Sequence, residues 1–150
     1  MAWIEGTEEK TFVVDAAYED VVEFFCNPEQ FQEAFTQLEN IEEVEDGVWK
    51  YTLEEKAEKG IRFQGVYTVR YERDGDVCTW ETLEGNMRSE GRVSFRDLNG
   101  KTEVDYLETI ATDLPIPRLM AKVFKPIVAR EIRGGVGEYL DNATEILESR

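Results

Sequence analysis

Histidine is absent from the 150 residues of this chain. That absence excludes the commonest general base, the commonest metal ligand, and the serine–histidine and cysteine–histidine pairs that activate nucleophiles. A glycine-rich phosphate-binding loop is also lacking. Paired glutamates such as Glu42-Glu43 are neighbours in sequence, so on a strand their side chains point to opposite faces and form no catalytic dyad. We therefore expect no metal site and no cofactor.

Long apolar runs are missing as well. No stretch approaches the roughly 20 apolar residues that cross a bilayer. The first residues, Met1 to Glu5, lack the charged start and apolar middle of a signal peptide. These features predict a soluble, cytoplasmic protein. The only two cysteines, Cys26 and Cys78, show neither metal nor redox spacing, and we expect two reduced, buried thiols.

Positive charge is scarce, since 17 basic residues stand against 33 acidic ones and the net charge is −16. Phosphate binding needs a basic surface, so nucleic acid is excluded as a partner. The acidity is typical of a protein from a salt-rich cytoplasm and equally of an ordinary acidic cytosolic protein. The length and the 41% hydrophobic content predict one domain, residues 1–150, with a substantial core.

The strongest turn signal is Asp74-Gly75, because a type I′ hairpin turn needs positive φ at both central positions. Pairing outward from this turn places Tyr71 opposite Cys78 and Val69 opposite Trp80. The large apolar side chains then share one face of the hairpin, and the other face is polar, as in a half-solvated antiparallel sheet.

Further turns between residues 48 and 113 keep the same face apolar. They are predicted at Gly85-Asn86, at Asn99-Gly100 and, with three residues, at positions 58–60. A one-residue slip would send every side chain to the wrong face, so their agreement supports the register. The predicted inner face consists of Trp49, Tyr51, Leu53, Phe63, Tyr67, Val69, Tyr71, Cys78, Trp80, Val93, Phe95, Val104, Tyr106 and Ile110.

Helical patterns flank this meander of strands. Residues 21–25 have helical spacing, and Asn27-Pro28 is typical of the start of a second short helix. A long C-terminal helix is predicted to about Leu147, with Pro126 causing either a kink or a break and Gly134-Gly135 a second bend. Its first half is amphipathic, with an apolar side formed by Ile116, Leu119, Met120, Val123, Phe124 and Ile127.

Three local motifs accompany this order of elements: DAAYEDV at residues 15–21, NPEQF at 27–31 and WETLEG at 80–85. Together they resemble the START-like polyketide cyclase/dehydrase and lipid-transport superfamily, the helix-grip proteins related to the birch-pollen allergen. The resemblance implies an α+β fold in which a curved antiparallel sheet of about seven strands wraps around a long C-terminal helix, with two short helices after the first strand. Members bind lipids, sterols, quinones or polyketides, or catalyse cyclisation and dehydration.

Our leading hypothesis is that the chain binds or transports a hydrophobic small molecule, such as a lipid, a quinone or a polyketide-like compound, between the sheet and the C-terminal helix. Gly65 and Gly91 occur where neighbouring strands place Leu53 and Trp80. The alternative is that the aromatic side chains fill this space as an ordinary core. The candidate ligand-binding residues are Trp49, Tyr51, Phe63, Tyr67, Trp80, Thr82, Ser89, Phe95, Tyr106, Glu108, Met120 and Phe124.

A cyclase/dehydratase-like enzyme is a second hypothesis, with Glu108 as its candidate catalytic residue. The register places Glu108 inward opposite Gly91, where a desolvated carboxyl tends to hold a proton and can act as an acid or base. Thr82 and Ser89 would orient a carbonyl. Glu108 would have no such role if it reached water near the end of the sheet or paired with Arg88. A third hypothesis is a protein-interaction module, in which a surface is the site.

The basic residues are unevenly distributed. Residues 114–133 contain five basic residues and one acidic residue, so this stretch carries +4 and the remainder −20. Its cations either neutralise nearby carboxylates or attract an anionic membrane. In the second case Arg118, Lys122 and Lys125 would make a transient contact, and Pro126 would let the helix swing from the sheet.

Overall fold

The computed structural model describes residues 2–58 and 60–150, and this part of the chain forms nine strands, three α-helices and one short 3-10 helix (Gln32–Ala34). The helices are α1 (Tyr18–Cys26), α2 (Pro28–Phe31) and α3 (Arg118–Glu148). The strands are β1 (Ala2–Val14), β2 (Leu38–Glu45), β3 (Val48–Leu53), β4 (Lys56–Glu58), β5 (Ile61–Phe63), β6 (Val66–Asp74), β7 (Val77–Gly85), β8 (Met87–Asp97) and β9 (Thr102–Leu114).

Seven of the strands form one antiparallel sheet in the order β1-β9-β8-β7-β6-β3-β2. Strands β4 and β5 form a separate two-stranded sheet. The predicted α+β helix-grip architecture, with its long C-terminal helix and two short helices after the first strand, is confirmed. In the predicted turn at positions 58–60, Lys59 lies outside the described residues. No helix in the described part of the chain is long and apolar enough to cross a membrane.

Most of the predicted register is confirmed, including Trp80 opposite Gly91. The β6–β7 hairpin differs, because Tyr71 lies opposite Trp80 rather than Cys78. Asp74 pairs with Val77, so the two turn residues are Gly75 and Asp76, and Gly75 has φ +65°. Glycine at the first central position suits a type II′ turn. From Val69 to Asp74 the pairing is shifted by two residues, an even number, so these side chains stay on their predicted faces.

The predicted pair of reduced thiols is wrong, because Cys26 and Cys78 form a disulfide. Cys26 is the last residue of α1, and Cys78 lies on the inner face of β7. Packing of α1 over the sheet brings the two Cα atoms to 6.0 Å, within the range that a disulfide spans. The sequence separation of 52 between the two cysteines concealed this proximity.

Helix α3 runs from Arg118 to Glu148 with Pro126 inside it, so the alternative of a break at Pro126 is wrong. Proline removes one backbone donor from a helix, and the remaining hydrogen bonds of a 31-residue helix continue on both sides. The second half of the helix is the half that enters the core, through Val136, Leu140, Ala143 and Leu147.

Two apolar clusters hold the helix on the sheet. The main core joins the inner sheet face, α1, α2 and the second half of α3, and each residue of the predicted inner face is buried in it or packs against it. A smaller cluster contains Ile4, Leu114 and Ile116, with Phe63 and Phe124 packed against it. The space between these clusters is the site described next.

Candidate functional site: an aromatic cavity with a buried carboxyl

A cavity of about 230 Å³ lies between the inner face of the sheet and helix α3. Its walls come from the strands, from the segment around α2, and from the middle of α3. Aromatic side chains dominate these walls: Phe25, Phe31, Phe35, Tyr51, Phe63, Tyr67, Tyr71, Trp80, Tyr106, Phe124 and Tyr139. An apolar cavity with a few polar groups is typical of a small-molecule binding site.

Alternation along the strands places the aromatic rings on one side of the sheet. The rings of Tyr51 and Tyr67 stack across β3 and β6 with centroids 5.1 Å apart. The Trp80 and Tyr106 rings lie 5.5 Å apart, and Tyr139 of α3 lies 6.1 Å from Tyr106 on the opposite wall. Rings on both walls thus bound one continuous space.

A chain of hydrogen bonds ends at Glu108. The indole N–H of Trp80 donates to Ser89 Oγ at 3.0 Å, and the Ser89 hydroxyl donates to Glu108 Oε2 at 2.6 Å. The Tyr106 hydroxyl donates to Glu108 Oε1 at 2.8 Å. Burial raises the pKa of Glu108, while the bonds from Ser89 and Tyr106 oppose the rise. Glu108 is therefore a buried carboxyl held in place by two hydroxyl donors.

Tyrosine hydroxyls supply the other polar groups. Tyr51 and Tyr71 hydrogen-bond to each other through their hydroxyls. The hydroxyls of Tyr67 and Tyr139 make no hydrogen bond to another of the described residues. Burial raises the pKa of all four side chains, so they remain neutral. The two unbonded hydroxyls are available to a bound molecule.

The space beside the two glycines that suggested a cavity is occupied by neighbouring side chains. A Cβ atom at Gly91 would lie 2.6 Å from Cζ2 of Trp80, and one at Gly65 would lie 2.2 Å from Sδ of Met87. Gly91 therefore allows the Trp80 indole to lie flat against β8. The cavity itself comes from the separation between the sheet and α3, which sequence pairing does not reveal.

Eight of the twelve candidate ligand-binding residues line the cavity: Tyr51, Phe63, Tyr67, Trp80, Ser89, Tyr106, Glu108 and Phe124. The other four lie elsewhere. Trp49 and Phe95 are buried in the main core, and Met120 is 41% exposed near the start of α3. The hydroxyl of Thr82 bonds the backbone N–H and C=O of Ser89, and so holds β8 rather than facing a ligand.

Several lining residues were not among the candidates. Phe31 and Phe35 come from the segment around α2, Tyr71 from β6 and Tyr139 from α3. Tyr71 was placed correctly on the inner face, and Tyr139 belongs to the apolar side of the predicted helix. Periodicity gives the face of each element, but the depth at which α2 and α3 pack on the sheet is a tertiary property.

Arg88 does not pair with Glu108, so this interpretation of the carboxyl is wrong. Arg88 lies on the outer face of β8, and its guanidinium stacks over the Trp3 ring at 4.3 Å from the centroid. Glu108 faces inward, opposite Gly91 as the register predicted. The described residues contain no group of three carboxylate, cysteine or histidine side chains arranged to hold a metal ion.

Comparison with known proteins identifies the fold. No protein-family model matches the chain, and no curated protein matches its sequence. The Zhui aromatase/cyclase from Streptomyces sp. R1128 superposes with a TM-score of 0.72 at 16% identity, covering 97% of this chain and 95% of that one. A START superfamily protein from Mycobacterium smegmatis gives a TM-score of 0.65 at 18% identity, covering 96% and 95%.

A third similar structure is norcoclaurine synthase from Thalictrum flavum, solved in complex with dopamine and hydroxybenzaldehyde. Its TM-score is 0.63 at 10% identity, and the superposition covers 99% of this chain and 89% of that one. These likenesses confirm the resemblance to the START-like helix-grip proteins at the level of the fold. Since a fold hosts many activities, the function of this chain depends on its own cavity.

Proposed function

We propose that this protein binds a hydrophobic small molecule in the cavity between the sheet and α3. The observation that carries the proposal is the cavity of about 230 Å³, with aromatic walls and a few polar groups at fixed positions. Apolar walls supply affinity, and the fixed hydroxyls and the Glu108 carboxyl orient the ligand. A lipid, a quinone or a polyketide-like compound has the required apolar surface.

The smaller apolar cluster lies at one end of the cavity and indicates where a ligand enters. Phe63 of β5 and Phe124 of α3 line the cavity and pack against that cluster. The β4–β5 hairpin forms a sheet of its own and is not held by the strand pairing of the main sheet. We infer that a ligand enters between this hairpin and the first half of α3.

Native mass spectrometry of the purified protein tests the proposal most directly. A retained ligand gives a mass above that of the chain, and solvent extraction followed by identification gives its chemical class. Titration with an apolar fluorescent probe tests the empty protein. The proposal is contradicted if no ligand is retained and no apolar probe binds to the wild-type protein.

A second candidate function is a cyclase/dehydratase-like reaction, and the specific observation in its favour is Glu108. A buried carboxyl of raised pKa, held by Ser89 and Tyr106, is suited to donate or accept a proton at a bound substrate. The structural likeness to an aromatase/cyclase agrees with this candidate. Turnover of a ligand identified by extraction, abolished in Glu108→Gln, would establish it.

We also propose a transient contact between α3 and an anionic membrane. Leu119 is 87% exposed and Val123 61% exposed, so these apolar side chains have little cover within the chain. Basic residues flank them: Arg118, Lys122 and Lys125. Exposed apolar side chains between cations are the usual features of an interfacial helix. A membrane contact here would bring the proposed entrance to the lipid surface.

The expected cytoplasmic location stays a prediction. The Cys26–Cys78 disulfide weighs against it, because disulfides persist mainly in oxidising compartments. Exclusion of nucleic acid as a partner likewise stays a prediction, and it depends on the net charge of −16.

A further inference from the structure

Acidic side chains outnumber basic ones around the cavity. Among the described residues that line it, Glu54, Glu108 and Glu138 are acidic, and Lys56 is basic. The whole chain carries −16. A site with this balance attracts cations and repels anions. An apolar molecule with a carboxylate would therefore bind less well here than a neutral or positively charged one.

Glu108 lacks a positively charged partner within the described part of the chain. Its hydrogen bonds come from two neutral hydroxyls, those of Ser89 and Tyr106. The ion pairs of the structure involve other carboxylates. Ser89 Oγ accepts the Trp80 N–H and donates its own hydrogen to Glu108, so with the Tyr106 bond both carboxyl oxygens are acceptors. A desolvated carboxylate of this kind is stabilised when a cation joins it.

Aromatic rings surround the carboxyl. Trp80 lies 6.2 Å from Tyr71 and 5.5 Å from Tyr106, measured between ring centroids. Tyr139 contributes a ring from α3, 6.1 Å from that of Tyr106. The Tyr106 hydroxyl bonds Glu108 directly at 2.8 Å and the Trp80 indole reaches it through Ser89, so these two rings border the carboxyl. Aromatic faces attract ammonium groups, most strongly where water is excluded.

We infer that the cavity binds a hydrophobic amine, with its ammonium group at Glu108 and its apolar body against the tyrosine and phenylalanine walls. The ammonium group would donate to the carboxyl oxygens and lie between the rings of Trp80, Tyr106 and Tyr139. This inference depends on the proposed function of the cavity as a binding site and adds the chemical class of the ligand. It also distinguishes this site from a carrier of fatty acids, whose carboxylate would face Glu108.

Three ligands with the same ring test the inference: naphthylethylamine, naphthylethanol and naphthylacetate, which are positive, neutral and negative at neutral pH. Their affinities for the full chain are measured by isothermal titration calorimetry. We expect the amine to bind about tenfold more tightly than the alcohol, the effect of one charge-assisted hydrogen bond with aromatic contacts. The acetate should bind most weakly.

Two variants test whether Glu108 causes the preference for the amine over the alcohol. Glu108→Gln keeps the shape of the side chain and removes its charge, so the ratio of amine to alcohol affinity should fall to about one. Glu90→Gln is the matched control, because Glu90 is exposed on the outer face of β8, on the same strand as Ser89. This control loses the same charge on the opposite face of the sheet from the cavity, and its affinity ratio should equal that of the wild type.

The outcomes separate the two proposals. If none of the three compounds binds to the wild type, the binding function itself fails. If the alcohol binds and the amine binds no more tightly, the cavity is a site for neutral ligands and the amine inference is overturned. An amine preference that persists in Glu108→Gln, or that disappears equally in Glu90→Gln, also overturns it, because the selectivity would then come from long-range charge.

Discussion

Trp80 and Ser89 are joined by a hydrogen bond of 3.0 Å from the indole N–H to the serine Oγ, and the serine hydroxyl donates in turn to Glu108. The pairing of Trp80 with Gly91 makes the contact possible, since the indole occupies the space that a side chain at position 91 would take. One glycine thus determines the polar geometry of the cavity.

Replacing Ser89 by alanine should destabilise the protein by about 1–3 kcal/mol, because the Trp80 N–H loses its acceptor in a buried position. The pKa of Glu108 should rise further, since the bond from Ser89 opposes the effect of burial. Urea denaturation measures the loss of stability. Ser94→Ala, on the outer face of the same strand, is the control, and equal stability of the two variants would contradict the assigned bond.

The two core tryptophans should differ in their effect on ligand binding. Trp80 and Trp49 are each 8% exposed, but only Trp80 lines the cavity. Replacement of either by alanine should lower the free energy of unfolding by about 3–5 kcal/mol. Affinity for an apolar fluorescent probe should fall strongly in Trp80→Ala and little in Trp49→Ala. Equal changes would indicate that the probe reports stability rather than the cavity.

Stability should depend on pH through Glu108. Burial raises the pKa of this carboxyl above its usual 4.5 in the folded protein. The folded state therefore holds a proton that the unfolded chain has released, and the stabilisation is complete below 4.5 and declines as the pH rises through the folded pKa. Urea unfolding between about pH 4 and about pH 8 should show wild type losing stability relative to Glu108→Gln.

Wild type and Glu108→Gln are free to differ in stability by a constant amount at every pH. The titration of Glu108 is reported only by the change of this difference with pH. Glu90→Gln, measured over the same pH range, is the control for the loss of one glutamate side-chain charge. A flat difference between wild type and Glu108→Gln would show that Glu108 has no raised pKa.

Local turn chemistry made much of the sheet predictable. Asn99-Gly100 fixed the pairing of β8 with β9, and hence the inward position of Glu108 opposite Gly91. The β6–β7 error did no harm to the predicted face near the turn, because the pairing from Val69 to Asp74 is shifted by two residues. Alternation and turns are local properties, so a sequence reveals them directly.

Contacts between layers were not predictable in the same way. The Cys26–Cys78 disulfide and the position of Tyr139 in the cavity wall both depend on how α1 and α3 pack on the sheet. The cysteines are far apart in sequence, and nothing in their spacing marks them as partners. Met120 is the opposite case, because a local pattern was misleading there. Its helical spacing suggested a place on the apolar side of α3, but the start of this helix lies outside the core and Met120 is exposed.

Reduction of the disulfide should destabilise the protein. The bond closes a loop of about 50 residues. For a loop of this length, loop-closure entropy predicts a stabilisation of about 4 kcal/mol, at the upper end of the range typical of disulfides. Urea unfolding with and without a reductant measures the effect. A Cys26→Ser/Cys78→Ser double variant should unfold as reduced wild type does and show no response to reductant. Free thiols in the unreduced protein, detected by alkylation and mass spectrometry, would contradict the bond.

The first half of α3 should bind vesicles that contain phosphatidylserine at low ionic strength, because exposed Leu119 and Val123 lie among basic residues. Flotation should show binding to wild type and none to Arg118→Glu/Lys122→Glu. The matched control is Arg92→Glu/Lys101→Glu, which changes the net charge equally at exposed positions outside α3 and should retain binding. Equal loss in both variants would assign the effect to net charge, and no binding of wild type would show that the −16 chain is simply repelled by the bilayer.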